Sequence, residues 1–208
     1  MPDRLHPAAR LPEGATLDEA RTKAARCRAC DLWRRATQTV FGAGDPRAKI
    51  VLVGEQPGDQ EDRAGKPFVG PAGRVLEEAL AAAGVDVAHV YLTNAVKHFK
   101  WEPRGKRRLH AKPRISEIQA CEPWLEVELS RLRPRVVVCL GTTAARAVLG
   151  RPVTIAKQRG RVLSTELAPA VFVTAHPSAI LRAPDAASRA RGRTQLVADL
   201  KQAAARAR

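Results

Sequence analysis

The chain has 208 residues, with 36 lysines and arginines against 21 aspartates and glutamates, a formal net charge of +15. That length suits one α/β domain with its own core, and a field of that sign draws polyanions, nucleic acid first. No apolar run approaches the 20 or so residues of a membrane span, and the opening MPDRLHPAARLPEG lacks the apolar stretch of a secretory signal, so a cytoplasmic protein that makes no use of a membrane is expected.

Residues 1–15 are Pro-rich and are expected to form a loosely ordered leader to a single domain spanning 1–208. TLDEARTKAARCRACDLWRRA then opens with a capping box, Thr16 to Glu19, and reads as a helix carrying Cys27 and Cys30 near its end. KIVLVG (49–54), VYLT (90–93), RVVVCLG (135–141) and AVFVTA (170–175) are apolar runs of strand length. Helical patterns separate them. PAGRVLEEALAAAG starts at Pro71 and stops at Gly84, SEIQACEPWLEVELSRL is a longer helix kinked at Pro123, TTAARAVLG closes on Gly150, and a basic amphipathic helix runs from about 185 to 206. This alternation predicts an α/β/α sandwich around a central four-stranded parallel sheet.

Ligands of such sheets bind beyond the carboxyl ends of the strands. Polar, Gly-rich segments follow three of the four strands: GEQPGDQED, TNAVKH and HPSAILR. The first belongs to GEQPGDQEDRAGKPFVGPAG (54–73), which lacks the Lys-Ser/Thr ending of a phosphate-binding loop and the spacing of a dinucleotide fingerprint. WEPRGKRRLHAKPR (101–114) packs six cations and one histidine into a stretch with neither helical nor strand periodicity. Four cysteines in a reducing compartment read as metal ligands, redox groups or core residues. Cys139, inside VVVCLG, reads as core, and Trp33 and Trp124, on helices, read the same way.

GEQPGDQEDRAGKPFVGPAG, TNAVKH, KRRLH and HPSAILR together resemble the family 4 branch of the uracil-DNA glycosylase superfamily, and within it the UdgX subgroup, over about residues 27–200. Two departures from ordinary family 4 members point to the subgroup: Gln56 in place of the usual alanine, and the inserted basic loop ending in His110. The resemblance implies excision of uracil from DNA; a basic groove without an obvious strand-separating wedge leans toward single strands, and a monomer is expected. It places Gly54, Phe68, Asn94 and His176 around the base, Asn94 reading the uracil edge, Phe68 stacking on it, and His176 polarising a carbonyl oxygen. It further implies that His110 attacks C1′ of the deoxyribose and stays attached, a single-turnover covalent capture. Glu55 would orient the imidazole, and Gln56 and Asp59 would position the nucleophile and its loop. Lys106, Arg107 and Arg108 would grip phosphate.

Relatives of this kind hold a [4Fe–4S] cluster with four cysteines. Here AVKH puts His98 at the third ligand position beside Cys27, Cys30 and Cys121, and three cysteines with one histidine are equally a structural zinc set. Two further readings stand beside covalent capture. One is an ordinary multiple-turnover glycosylase that uses water, with His110 only touching DNA; the other is a non-catalytic nucleic-acid binder.

Overall fold

The computed structural model describes residues 6–208. A 3-10 turn over Pro7–Arg10 precedes α1 (Leu17–Ala24), whose N-terminus is closed by the expected capping box between Thr16 and Glu19. His6 hydrogen-bonds the Ala120 carbonyl through Nε2 and meets the Trp124 ring edge-on, and Ala8 and Ala15 are buried. Residues 1–5 lie outside the described part.

The next elements in chain order are β1 (Ala43–Gly44), β2 (Ile50–Gly54), α2 (Asp59–Ala64), α3 (Pro71–Ala82), β3 (Val90–Asn94), β4 (Trp101–Arg104) and β5 (Arg107–His110). They are followed by α4 (Ile115–Gln119), α5 (Glu122–Leu132), β6 (Val136–Leu140), α6 (Thr142–Leu149), α7 (Ile155–Gln158), β7 (Leu163–Thr165), β8 (Ala168–Thr174), α8 (Pro177–Leu181) and α9 (Ala186–Ala207). Among the described residues no helix is long and apolar enough to cross a membrane.

The four predicted strands pair in parallel as β3-β2-β6-β8. The sheet is nonetheless six-stranded, because β1 adds antiparallel to β3 and β7 antiparallel to β8. Both are two or three residues long, too short for any alternation to show in the sequence, and they close the edges that a four-stranded sheet would leave open. Alternate side chains of each strand go to opposite faces. Leu52, Val136, Val138 and Leu140 pack against α3, α8 and α9, whereas Val51, Val53, Val137 and Cys139 pack against α5 and α6. A sheet covered on both faces needs continuous apolar runs, which is why these strands read as unbroken Val/Ile/Leu stretches.

From β2 the chain moves to one side, to β3, and then crosses to the other, to β6. The reversal makes the carboxyl end of β2 the topological switch point, the place where a crevice opens. Gly54 and Glu55 sit there, and Gly54 is in register with Asn94.

Three expectations need correction. The helix expected to carry both cysteines ends at Ala24. Cys27 lies in the tight turn beyond, its N–H donating to the Ala24 carbonyl, and Cys30 caps a 3-10 turn over Asp31–Arg34 in extended conformation. The helix expected to kink at Pro123 is two helices, broken at Ala120–Cys121, with Pro123 in the first turn of α5 where its missing N–H costs nothing. Trp33 is not core: it is half-buried at the surface with the guanidinium groups of Arg28 and Arg34 over its ring at 4.5 and 5.0 Å. Trp124 and Cys139 are fully buried as expected.

Candidate active site

Glu55 follows β2 directly and is the polar centre of the crevice. One carboxylate oxygen stands 3.2 Å from His110 Nε2, and the other accepts from the Thr143 hydroxyl at the start of α6. Burial pushes its pKa up, but the hydrogen bonds from His110 and Thr143 and the nearness of His176 outweigh that and hold it below the ordinary carboxylate value. The group is therefore a carboxylate at neutral pH, fixed on both oxygens and aimed at an imidazole. His110 is half-exposed, its side chain 49% accessible, so one edge meets Glu55 while the rest faces solvent.

His176 caps α8. Its Nδ1 accepts from the Ser178 backbone N–H at 3.1 Å and lies 2.8 Å from the Ser178 hydroxyl. An Nδ1 that accepts from an N–H has no hydrogen of its own, so the neutral ring carries its proton on Nε2. Burial holds the pKa down to about 4, partly opposed by Glu55, which keeps the ring neutral near pH 7. The result is a fixed, largely buried N–H donor.

Gly54, Phe68 and Asn94 meet beside these groups. A Cβ on Gly54 would collide with Asn94 Oδ1 and with the Phe68 ring, so only glycine allows the amide and the ring to close over the strand end. Asn94 is buried, with 3% of its surface exposed. Phe68 adopts a left-handed backbone, φ +57°, which a bulky residue takes only when its surroundings impose it. Glu61 supplies the constraint: it accepts from the Gly58 and Gly70 N–H groups at 3.1 and 2.7 Å and so clamps the loop that carries Phe68. The ring lies 6.2 Å from His176 at 27°, near enough to parallel for the two to wall one slot.

The basic stretch 101–110 is a β-hairpin turned at Gly105, not an irregular loop. Its strands escape sequence reading because they are held by polar contacts instead of a core and so carry no apolar alternation. The period of two still sorts the side chains: Trp101, Pro103, Arg108 and His110 share one face, and Glu102, Arg104, Arg107 and Leu109 the other. Arg108 therefore turns inward with His110. It pairs with Asp59 at 2.5 Å and Asp62 at 2.7 Å and stacks over Phe99 and Trp101, so its guanidinium is taken up by two carboxylates and two rings. Lys106 and Arg107 are exposed at the tip and remain placed for a polyanion. Gln56, 7% exposed, locks the root: its Oε1 accepts from Lys100 N–H at 3.2 Å, and its Nε2 donates to the Lys100 and Ala111 carbonyls, both at 3.1 Å. Gln56 and Asp59 thus act on the hairpin, through its root and through Arg108, and neither touches His110 directly.

Residues 41–201 match the model of the Uracil DNA glycosylase superfamily, spanning the switch-point crevice and every group placed around it. The chain belongs to that superfamily. It is 37% identical over 176 residues to the type-4 uracil-DNA glycosylase of Archaeoglobus fulgidus, covering 81% of this chain and 85% of the relative. To the type-4 uracil-DNA glycosylase of Thermotoga maritima it is 38% identical over 158 residues, 76% of this chain and 79% of the relative. The type-5 uracil-DNA glycosylase of Pyrobaculum aerophilum is 32% identical over 193 residues, 85% and 80% respectively.

In this superfamily member Cys27, Cys30 and Cys121 are free thiols, Cys27 and Cys121 buried. Cys121 is pushed up to about 12, by burial first, with Cys30 and Cys27 near enough to add to the shift. Its sulfur accepts from the Lys97 N–H at 3.4 Å. His98, next along, donates or accepts at Nε2 with Thr39 Oγ at 2.8 Å, and Thr39 passes its own hydrogen to the Ala24 carbonyl. Nε2 must then be the donor, which leaves Nδ1 with a lone pair, buried and without a partner among the described residues. An orphaned acceptor of this kind, beside three free thiols, suits a metal. Among the described residues no three His, Cys, Asp or Glu side chains converge closely enough for a single ion.

Three residues around the site escaped sequence reading. Thr143 fixes Glu55 from the third strand's end, and the signal was present in GTT directly after VVVCL, the one strand end that showed no polar cluster. Lys97 and Glu128 form a fully buried ion pair beneath Asn94, 31 residues apart in sequence, which no local pattern joins.

Proposed function

We propose that this chain excises uracil from DNA and is captured by its product through a bond between His110 and C1′ of the deoxyribose. The observation that carries the reading is the Glu55–His110 pair at 3.2 Å on the rim of a slot lined by Asn94, Phe68 and His176. The relatives named uracil-DNA glycosylases support uracil as the base.

A base turned out of the stack enters the slot, where Phe68 covers its face and the Asn94 amide, donor and acceptor at once, matches the uracil edge. As the glycosidic bond breaks, its electron pair leaves with uracil as an anion, and the His176 N–H, already aimed and desolvated, stabilises the developing charge on the carbonyl oxygen. One His110 nitrogen is hydrogen-bonded to Glu55 through its hydrogen; the other carries the lone pair that forms the bond to C1′. The remaining ring proton passes to Glu55, leaving a neutral alkylated imidazole, a poor leaving group. Lys106 and Arg107 meet the backbone, single strands being favoured because an exposed hairpin tip can follow a flexible chain. The protein acts as a cytoplasmic monomer.

Cys27, Cys30, His98 and Cys121 are the assigned ligands of a [4Fe–4S] cluster, which supplies no chemistry to the excision and ties the N-terminal segment to the region that bears the hairpin. Iron and acid-labile sulfide in anaerobically purified protein check this; zinc without sulfide overturns it.

One denaturing gel tests the main claim. Protein mixed with a labelled oligonucleotide containing one uracil should give a shifted band that survives denaturation, and His110→Ala should not. Free uracil released in excess of enzyme by the wild type would refute capture and select a conventional glycosylase. His110→Ser should leave room for water and release free uracil over several turnovers.

A further inference from the structure

Beneath the uracil slot lies a closed polar network outside the reaction described above. Lys97 and Glu128 are 1% and 0% accessible and meet at 2.5 Å. All three Lys97 ammonium hydrogens have acceptors: Glu128 Oε2, Thr93 Oγ at 2.8 Å, and the Asn94 backbone carbonyl at 2.7 Å. Glu128 is equally full. Its Oε2 also accepts from Thr93, and its Oε1 takes the Gly42 N–H at 2.8 Å and the Tyr91 hydroxyl at 3.2 Å. The Phe41 ring lies 5.6 Å from the ammonium and completes the enclosure.

Taking two charges out of water is costly, and apolar side chains of similar volume serve a core at least as well. A pair with every donor and acceptor matched is therefore explained by what it orients more readily than by stability. Here it orients the turn after β3. The Asn94 carbonyl points down to Lys97, while the next two N–H groups, of Ala95 and Val96, donate to the Gly54 and Glu55 carbonyls at 2.9 Å. With its backbone held from below and its neighbours stitched to β2, the Asn94 amide starts from a fixed strand end and lies over Gly54, beside Phe68.

We propose that Lys97 and Glu128 are positioning residues for base recognition, setting the Asn94 amide against the uracil edge. The proposal rests on the reading of Asn94 as the group that binds the base. Replacing both charges, Lys97→Met with Glu128→Leu, removes the anchor without leaving a lone buried charge.

The experiment measures uracil loss from a uracil-containing oligonucleotide under enzyme excess, across enzyme concentrations, for four proteins: wild type, Asn94→Ala, the double variant, and the double variant with Asn94→Ala. Uracil loss reads excision whether or not the protein is captured. We expect the double variant to keep its thermal midpoint and visible absorbance. Its half-saturating concentration should rise and its overall efficiency fall about 100-fold, the size of an ångström-scale misplacement at a reacting site. Asn94→Ala should then cost less than about 5-fold in that background, against a far larger loss in wild type, because the amide is already misdirected. An undiminished Asn94→Ala factor, or visible absorbance lost in step with activity, overturns positioning in favour of a general structural or cluster-holding role. An Asn94→Ala enzyme that matches wild type overturns the base-reading assignment itself, a different failure. If the double variant does not fold, Lys97→Met with Glu128→Gln, which also removes both charges and keeps the glutamate's volume, carries the same comparison.

Discussion

Gln56→Ala is the sharpest probe of how the nucleophile is held. Three hydrogen bonds join this one side chain to the two ends of the hairpin, at Lys100 and Ala111. Each is worth about 1 kcal/mol net, and water can replace part of them on the Lys100 and Ala111 side, which is only partly buried, so the closed hairpin should lose about 2 kcal/mol relative to open forms. That is about 30-fold in the ratio of closed hairpin, which presents His110 to Glu55, to open forms. Displacement by an ångström would cost about 100-fold in its own right. We therefore expect the rate of covalent capture, followed as the denaturation-resistant band in a time course at saturating enzyme, to fall between about 10- and 100-fold. The thermal midpoint should move little, since the hairpin lies outside both faces of the core. A capture rate within twofold of wild type would show that the hairpin root does not govern His110.

The inward and outward faces of the hairpin separate in salt. Lys106→Ala and Arg107→Ala should each lower the slope of log affinity against log salt by about 1, with capture restored at low salt. Arg108→Ala should leave that slope unchanged and slow capture at every salt concentration, because its partners are Asp59 and Asp62. His176 makes stability pH-dependent. Its folded pKa of about 4 lies below the ordinary 6.5, so the unfolded chain binds the proton first. The stability this contributes is complete above pH 6.5 and is lost as pH falls toward 4, up to roughly 3 kcal/mol. Thermal melts between about pH 7 and pH 4.5 should show the wild type losing more than His176→Asn; parallel losses would place the ring in a wetter environment.

Most of the frame was legible because its causes are local. Buried parallel strands must be continuous apolar runs, and KIVLVG, VYLT, RVVVCLG and AVFVTA are such runs. Pro71, Gly84 and Gly150 punctuate helices through their own backbone preferences. The placing of Glu55, Asn94 and His176 near strand ends follows from the same reading. The short edge strands β1 and β7 were not legible, being too brief to show a period, and the hairpin was hidden because its alternation is of cations instead of apolar residues.

What the sequence determined by itself is therefore the sheet, its helices, and the set of polar residues delivered to one end of it. What only the tertiary structure decided is how those residues divide their work. Arg107 and Arg108 are adjacent and chemically identical, yet one faces solvent and the other reaches Asp59 and Asp62, because a strand pairs Arg108 with Pro103 and turns that face toward α2. Gln56 reaches across 44 and 55 residues to close a hairpin, and Lys97 finds Glu128 across 31. Contacts of that kind carry no period and no spacing; they exist only once the chain has brought distant segments together, and the direction of His110 depends on them.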